Sequence, residues 1–576
     1  MVYKIGDNIT SPLGSSTEQN YKAVIDGCSA LALHQGRWDI PEDFCASLFN
    51  DEQVEELAQD GLSRLESLAV SSIRKAIQGL SIDLSSNRVV LILSSAKGNV
   101  EDLTLDVSTA EGSLPSTAAK HIAESLGMTT MPIAVCNACI SGVSAITLGK
   151  RLLEVGTYDY AIVCGADCQS KFVVSGFQSL KSMSDEPCRP FDEERLGLNL
   201  GEAAATLVLS NKATEASCWS IESAAVANDA NHLTNPSKTG EGCYQAIRKT
   251  LDGRDIDDIA FINAHGTATM YNDQMESVAI ERAELNSVPV NALKGYFGHT
   301  MGAAGVLETV LCMYALDHNI IIGTRGYNEI GVSGEIDVCK ETTPTQKQSF
   351  LKLISGFGGC NGVLLASRCD DALANVATSH SSSKTLKQLH RVHVTPQCIE
   401  VDGKKLDLDC SEKDILTVAY KTLINDYAKF YKMDKLCRLG FVATELLLQA
   451  EGKDRYVECQ DRAVVLFNRH SSVVADIEYL KSISDKENYF PSPSAFIYTL
   501  PNIVTGEIAI RNKYHGETVF YVLPEKNTEM MNAITHTAFA DKTIRSVISG
   551  WLDYDEKGNF EADLAIVCEE DMNNIG

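Results

Sequence analysis

Residues 133–142 read Ile-Ala-Val-Cys-Asn-Ala-Cys-Ile-Ser-Gly, an apolar strand that passes through small residues into a helix whose first turn begins near Cys139. A helix N-terminus offers free backbone N–H groups and the positive end of the macrodipole, so a thiolate is favoured at Cys139, the setting of a nucleophile. Cys136, inside the strand, reads as buried packing. Outward from this stretch, short apolar runs alternate with helical spacing from the start of the chain to about position 370. Segments 89–93, 132–135, 160–164, 205–209, 259–262 and 351–354 predict strands buried on both faces. Segment 62–80 and Ser141–Glu154, the latter stopped at Gly156, predict helices between them. The alternation implies a layered α/β architecture.

The 576 residues exceed the length at which one hydrophobic core stops growing, about 250 to 300 residues, so several packed units are expected. Acidic residues outnumber basic ones by 77 to 50, and a net charge of −27 would repel a phosphate backbone or an anionic bilayer, which excludes nucleic acid as a partner. No apolar run approaches the roughly 18 to 20 residues of a membrane span, and the opening MVYKIGDNIT lacks the cationic and apolar regions of a signal peptide. The 18 cysteines are therefore expected as reduced thiols in a cytoplasmic protein.

A polar break at 375–384 (NVATSHSSSK) reads as a linker, and beyond it the chain repeats features of its own beginning. Leu62-Ser63-Arg64-Leu65 is echoed by Leu436-Cys437-Arg438-Leu439, and Arg88-Val89-Val90-Leu91 by Arg462-Ala463-Val464-Val465, both at an offset of 374. Leu114-Pro115 is echoed by Leu500-Pro501 at an offset of 386, and the strand ending at Gly165 by Ser546–Gly550 at 385. Four anchors in order favour a repeat over two unrelated α/β units of similar patterning.

Two histidines accompany the cysteine. Asn263-Ala264-His265-Gly266-Thr267-Ala268-Thr269 and Lys294-Gly295-Tyr296-Phe297-Gly298-His299 each follow an apolar run and set His in a Gly-rich turn, where a backbone approaches something closely. Ser355-Gly356-Phe357-Gly358-Gly359 adds a flexible loop with one aromatic. Either histidine alone suits a structural role. A zinc tetrad of Cys136, Cys139, His265 and His299 is a rival reading, but its first ligand would begin inside a buried strand and it leaves Lys294 and Phe357 unexplained, so no metal is expected.

In this order, Ala-Cys with small residues, His-Gly-Thr-x-Thr, Lys-x-x-x-x-His and Gly-Phe-Gly-Gly resemble the decarboxylating β-ketoacyl synthases, and Cys188-Arg189-Pro190-Phe191-Asp192 with Arg195, Gly197, Gly201 and Glu202 is similar to a further segment of that family. The resemblance covers about residues 1–370. It implies a thiolase-like layered αβαβα fold of two similar halves, with the nucleophile in residues 1–212 and the histidine pair in 213–370. After a linker at 371–386, residues 387–576 form a third, thiolase-half-like C-terminal domain lacking the nucleophile.

The resemblance further implies that Cys139 takes an acyl group as a thioester, with the backbone N–H groups of Cys139 and Phe357 as the oxyanion hole. His265 and His299 would bind a malonyl thioester and stabilise the enolate as carbon dioxide leaves. Lys294 and Glu308 would support that pair, Thr267 and Thr269 would bond the pantetheine arm, Phe357 would act as gatekeeper, and Asp273 and Glu276 match the family pattern. Ile140, Ala203, Gly295 and Cys360 depart from it without deleting a reactive group. The implied partner is an acyl carrier protein whose phosphopantetheine carries the substrates, with no other cofactor, in a homodimer or a heterodimer with another ketosynthase-like chain. A malonyl decarboxylase or acyltransferase on the same fold is one alternative. A non-catalytic partner subunit of the chain-length-factor kind is another, and the intact Cys139, His265, His299 and Lys294 argue against it.

The offset of 385 to 386 carries Cys139 onto Pro524 or Glu525, so the third half is expected to be catalytically dead, serving packing, dimer geometry, carrier docking or the acyl pocket. The segment before the nucleophile lies at the dimer interface in the family, and residues 500–521 are expected at that surface. Because such carriers are acidic, Lys and Arg are expected to gather around the entrance to Cys139.

Overall fold

The computed structural model describes residues 1–213, 218–369, 384–410 and 413–571. The expected linker at 371–386 lies outside the described residues as far as 383. From Lys384 the chain is already in a strand, slightly ahead of the expected start of the third half.

The same five-strand pattern is laid down three times. In the first, β1 (Val2–Thr10), β2 (Val89–Ser94), β3 (Ile133–Val135), β4 (Tyr160–Asp167) and β5 (Ala203–Ser210) lie in the spatial order β1-β5-β4-β2-β3, with two antiparallel contacts followed by two parallel ones. In the second, β6 (Trp219–Asn228), β7 (Ile259–Asn263), β8 (Pro289–Asn291), β9 (Ser349–Gly356) and β10 (Cys360–Arg368) repeat it as β6-β10-β9-β7-β8. In the third, β11 (Lys384–Val394), β12 (Arg462–Asn468), β13 (Thr518–Val522), β14 (Ser546–Tyr554) and β15 (Phe560–Asp571) form β11-β15-β14-β12-β13 with the same directions.

The first two sheets are layered. Helices Ser141–Glu154 and Ala304–Asp317, buried over nearly their whole length, lie between them in one apolar core. The pair cross where glycines allow it, since a Cβ on Gly142 would sit 2.9 Å from the Gly305 Cα. Outer helices cover the far faces. Arg64–Ala76 starts on a Ser63/Glu66 capping box and packs with Pro115–Ser125 on the first sheet, while Glu241–Thr250 and Met270–Arg282 cover the second. Helix Lys435–Glu451, capped by Asp434 and closed by left-handed Gly452, covers one face of the third sheet as Arg64–Ala76 covers the first.

β13 of the third half pairs antiparallel with β3 of the first, Tyr521 opposite Val135 and Val522 opposite Ala134. Val522 stands for Val135 in its own sheet, an offset of 387, because each closes the parallel ladder on an equivalent strand. The two pairs are therefore reciprocal, the signature of a two-fold relation, here within one chain. The register moves the counterpart of Cys139 from Pro524 or Glu525 to Lys526, whose Nζ bonds Glu561 at 2.9 Å and cannot be a nucleophile of that kind.

Buried ion pairs fasten this junction. Arg151 donates to both carboxylate oxygens of Glu517 at 2.9 and 2.8 Å, and Lys97 reaches Asp476 at 2.5 Å. Breaking one such pair from one side costs about 3–5 kcal/mol, because a charge is left buried without its partner.

The third sheet differs from the first on its other face. Val392, Val394, Ala562, Leu564 and Ile566 point into the core. Their neighbours Arg391, His393, Glu561 and Asp563 carry an outward layer of ion pairs, with Arg391 on Asp563 at 2.7 Å and His393 on Glu561 at 3.2 Å. In the first half, β5 is buried along its full length.

Candidate active site

β3 ends, Ala138 takes a left-handed φ of 49°, and a short 3-10 turn (Ala138–Ile140) leads into helix Ser141–Glu154. This sharp bend sets the half-buried Cys139 at the floor of a cavity of about 300 Å³. His265 and His299 line the same cavity from loops after β7 and β8, and the reactive atoms of Cys139, His265 and His299 lie within 4.8 Å of one another. Cys136 is not in this cluster and packs in the apolar core, so the four-ligand zinc arrangement does not form.

The imidazoles meet edge to face at 4.9 Å. His265 Nδ1 and both ring nitrogens of His299 are buried with no hydrogen-bond partner among the described residues. Burial holds both histidines well below the usual pKa of 6.5, with Lys294 adding to the effect, so they are neutral and each keeps one N–H to donate. The expectation of a resting thiolate is corrected: burial pushes the Cys139 thiol up to about 12, outweighing the neighbouring Lys294.

Behind the pair, Lys294 Nζ bonds Glu308 Oε1 at 2.8 Å, and both side chains are buried. The His265 turn is held by Glu276, which accepts the N–H groups of His265 at 2.6 Å and Gly266 at 2.8 Å, and whose carboxyl burial pushes up to about 7. Gly266 has a φ of 49°, and a Cβ there would collide with Ala292. Asp273 lies one layer further out, accepting the Phe191 N–H at 2.8 Å with Arg195 nearby, and burial raises it to about 6. The Cys188–Gly201 segment is the scaffold of the His299 loop: His299 N donates to Asn199 O at 2.7 Å and Cys188 Sγ to Lys294 O at 3.3 Å.

Thr267 and Thr269 line the cavity with their hydroxyls 2.9 Å apart. Phe357 also lines it and stacks on Phe177 at 6.0 Å. Its loop abuts the nucleophile, since a Cβ on Gly356 would lie 3.2 Å from the Cys139 amide nitrogen. Gly295, one of the departures from the family pattern, has no room for a side chain, because any Cβ there would meet the Arg325 carbonyl.

Among the described residues the lining carries one cation, Lys181, and one buried carboxylate, Asp229. Its outer wall is apolar, with Leu196, Met270 and Tyr271 exposed by 65, 58 and 72%. The lining itself is therefore not the basic surface expected; it suits a neutral, partly apolar arm.

Two parts of the site escaped sequence reading. Lys352 on β9 pairs with Glu308; it stands inside an otherwise apolar run, and a lysine in a strand buried on both faces demands such a partner. The other is the third half. Asn502 donates to the Phe357 carbonyl at 2.8 Å, the Thr518 carbonyl accepts from Asn137 at 3.0 Å, and the Thr518 hydroxyl pairs with Asn228 at 2.9 Å. Cys360, another departure from the family pattern, sits in this junction with its Sγ 3.3 Å from the Thr518 hydroxyl.

Sequence models of one family match the chain twice in succession: that described as beta-ketoacyl synthase, N-terminal domain, at residues 2–215, and that described as beta-ketoacyl synthase, C-terminal domain, at 219–328, together more than half of the chain. Among curated proteins the chain is similar to nodulation protein E of Rhizobium leguminosarum bv. trifolii, at 31% identity over 267 residues that span 44% of this chain and 66% of that protein. It is also similar to the tetracenomycin polyketide synthase ketoacyl synthase alpha subunit of Streptomyces glaucescens, at 31% over 274 residues, 44% of this chain and 64% of the other. The chain thus spans just under two thirds of the length of these relatives. A β-ketoacyl synthase from Burkholderia phymatum STM815 superposes with a TM-score of 0.59 at 25% identity, covering 64% of this chain and 99% of that one. A PfaC keto synthase–chain length factor superposes on 100% of this chain and 79% of its own, with a TM-score of 0.77 at 15% identity, a likeness of fold across all three halves. The fold is thiolase-like.

No helix among the described residues is long and apolar enough to cross a membrane.

Proposed function

This chain belongs to the β-ketoacyl synthase family, and from that premise we propose that it is a condensing enzyme joining a Cys139-bound acyl group to malonyl carrier protein. The observation that carries the reading is the convergence, in one cavity, of Cys139 with two neutral imidazoles of which His265 Nδ1 and both His299 nitrogens lack a hydrogen-bond partner.

In the first half-reaction the Cys139 thiol gives its proton to a neighbouring imidazole and attacks the acyl thioester. The tetrahedral oxyanion is met by the N–H groups of Cys139 and Phe357, and the carrier thiol leaves with the proton. In the second, the N–H groups of His265 and His299 hydrogen-bond the malonyl thioester carbonyl. As the C–C bond to the carboxylate breaks and carbon dioxide leaves, they stabilise the enolate oxygen. The enolate carbon attacks the acyl-Cys139 carbonyl, the Cys139 sulfur leaves as a thiolate, and a proton from water restores the thiol. Neutral histidines suit this role, since each keeps a donor without adding a competing acid. Thr267 and Thr269 bond the pantetheine arm, Phe357 gates the two pockets, Lys294 and Glu308 support the histidine pair, and Asp273 holds the Phe191 segment. The substrates arrive on the phosphopantetheine of an acyl carrier protein, and the reaction needs no other cofactor.

The third half is read as half of a partner subunit carried on the same chain. It fills the β3 edge, leaving no room for a second chain there, and through Asn502 and Thr518 it holds the Phe357 loop and the Asn137 turn on either side of Cys139. We read the chain as a cytoplasmic protein that meets an acyl carrier protein at the cavity mouth and can still associate, as a homodimer or with another ketosynthase-like chain, through its other surfaces.

The test is intact-protein mass spectrometry after incubation with a panel of acyl carrier proteins. One acyl adduct per chain, mapped to Cys139 and absent in Cys139→Ala, is expected, while Cys139→Gln, a mimic of the acylated state, keeps malonyl decarboxylation. Full activity in Cys139→Ala refutes the assignment.

A further inference from the structure

Lys352 is fully buried on β9, flanked along the strand by the buried apolar residues Phe350, Leu351, Leu353 and Ile354. A lysine there survives only with partners, and it has two. Its Nζ pairs with Glu308 Oε2, on the oxygen that Lys294 leaves free, and donates to the Ala264 carbonyl at 3.3 Å. Ala264 is the residue before His265, so one ammonium ties the carboxylate behind the histidines to the backbone that carries one of them.

The cluster is unbalanced in charge. Glu308 is held ionised against its burial by Lys294 and Lys352 together, so two ammoniums share one carboxylate. Burial pushes the Lys352 ammonium down and Glu308 pushes it back. The other titratable groups that feel it are the neutral His265 and His299, the buried Cys312 thiol, and Glu276 beyond the His265 turn.

Resting on the condensing reading above, we propose that Lys352 is a positioning residue for the decarboxylation half-reaction: it anchors the His265 turn through Ala264 and leaves one uncompensated positive charge behind the imidazole pair. Both anionic species of that step, the malonyl carboxylate and the enolate, are favoured by this charge in a site shielded from water. The acyl transfer onto Cys139 starts from a neutral thioester and depends on it far less.

The experiment uses the full chain. Lys352→Met removes tether and charge with little change in shape, and Lys352→Gln keeps a donor toward Ala264 without the charge. Both are measured for acylation of Cys139 by a neutral acyl thioester, and, in the Cys139→Gln background, for carbon dioxide release from malonyl carrier protein across pH. Residues that orient a first partner through a second cost about 10- to 100-fold when removed. Decarboxylation kcat/KM is expected to fall by that much in both variants, with acylation changed less than about threefold on the same basis. The acid limb of the decarboxylation profile should also move to higher pH, because His265 and His299 lose a cation that keeps them unprotonated. Equal loss of both half-reactions, or wild-type decarboxylation in Lys352→Gln, overturns the proposal. If Lys352→Met does not fold, Lys352→Gln alone decides. Absence of decarboxylation in the Cys139→Gln parent instead overturns the condensing reading itself.

Discussion

Replacing Phe496 by Ala tests how far the third half reaches into the chemistry. Phe496 is 2% exposed, sits edge-on to Phe177 at 5.4 Å, and occupies space that a Cβ on Gly176 would need. Phe177 lines the cavity and stacks on Phe357, which lines it too, so Phe496 is the backstop of a wall of three rings. Removing it costs about 3–5 kcal/mol of stability as a core aromatic truncation. It also gives Phe177 somewhere to go, and the cavity lengthens behind Cys139. Each methylene then buried contributes about 0.8 kcal/mol, so a primer two carbons longer gains about 1.6 kcal/mol, roughly fifteenfold in relative kcat/KM. The assay is competition between acyl carrier proteins of stepped chain length for Cys139, read by mass spectrometry, with thermal unfolding in parallel. Phe496→Leu serves as the milder variant. An unchanged preference in a folded Phe496→Ala protein would refute the argument that this ring limits the pocket.

Two further outcomes follow from the same geometry. Asn502→Ala removes a neutral hydrogen bond of about 1 kcal/mol from the Phe357 carbonyl, so, on the proposed mechanism, acylation of Cys139 should slow about fivefold while the unfolding temperature barely moves; an unchanged rate would separate the third half from the role proposed for the Phe357 loop. Because His265 and His299 are held below 6.5 in the folded state, condensation should persist as pH falls through 6.5, with its acid limb lower. The unfolded chain binds those protons first, so stability contributed by the neutral pair is full above 6.5 and declines below it, which urea titrations at stepped pH will show.

Much of the site was legible because its chemistry needs reactive side chains beside residues that let backbones approach. Cys139, His265, His299, Lys294 and Phe357 could be picked out with their Gly- and Thr-rich surroundings. Strands β2, β4 and β7 were legible as apolar runs. β1, β6 and β10 were not, because their runs are broken by small and polar residues, and they are recognised only by the antiparallel partners they meet. The thiol of Cys139 could not be judged from its helix start, because burial is a property of everything packed around it. Lys352 was visible but read with the strand around it. Asn502 and Thr518 lie far along the chain from the loops they hold, and no local pattern connects them. The internal repeat was traceable because each copy must close the same ladder.

The pairing of β13 with β3 puts both sides of a subunit-like contact on one polypeptide. Such a contact is governed by effective concentration rather than by a dissociation constant between chains, so dilution does not take it apart. On the proposed function it also sets the stoichiometry at one acylated thiol for each chain. The counterpart position, held by Lys526, can carry an ion pair on the outer layer of the third sheet because nothing asks it to react.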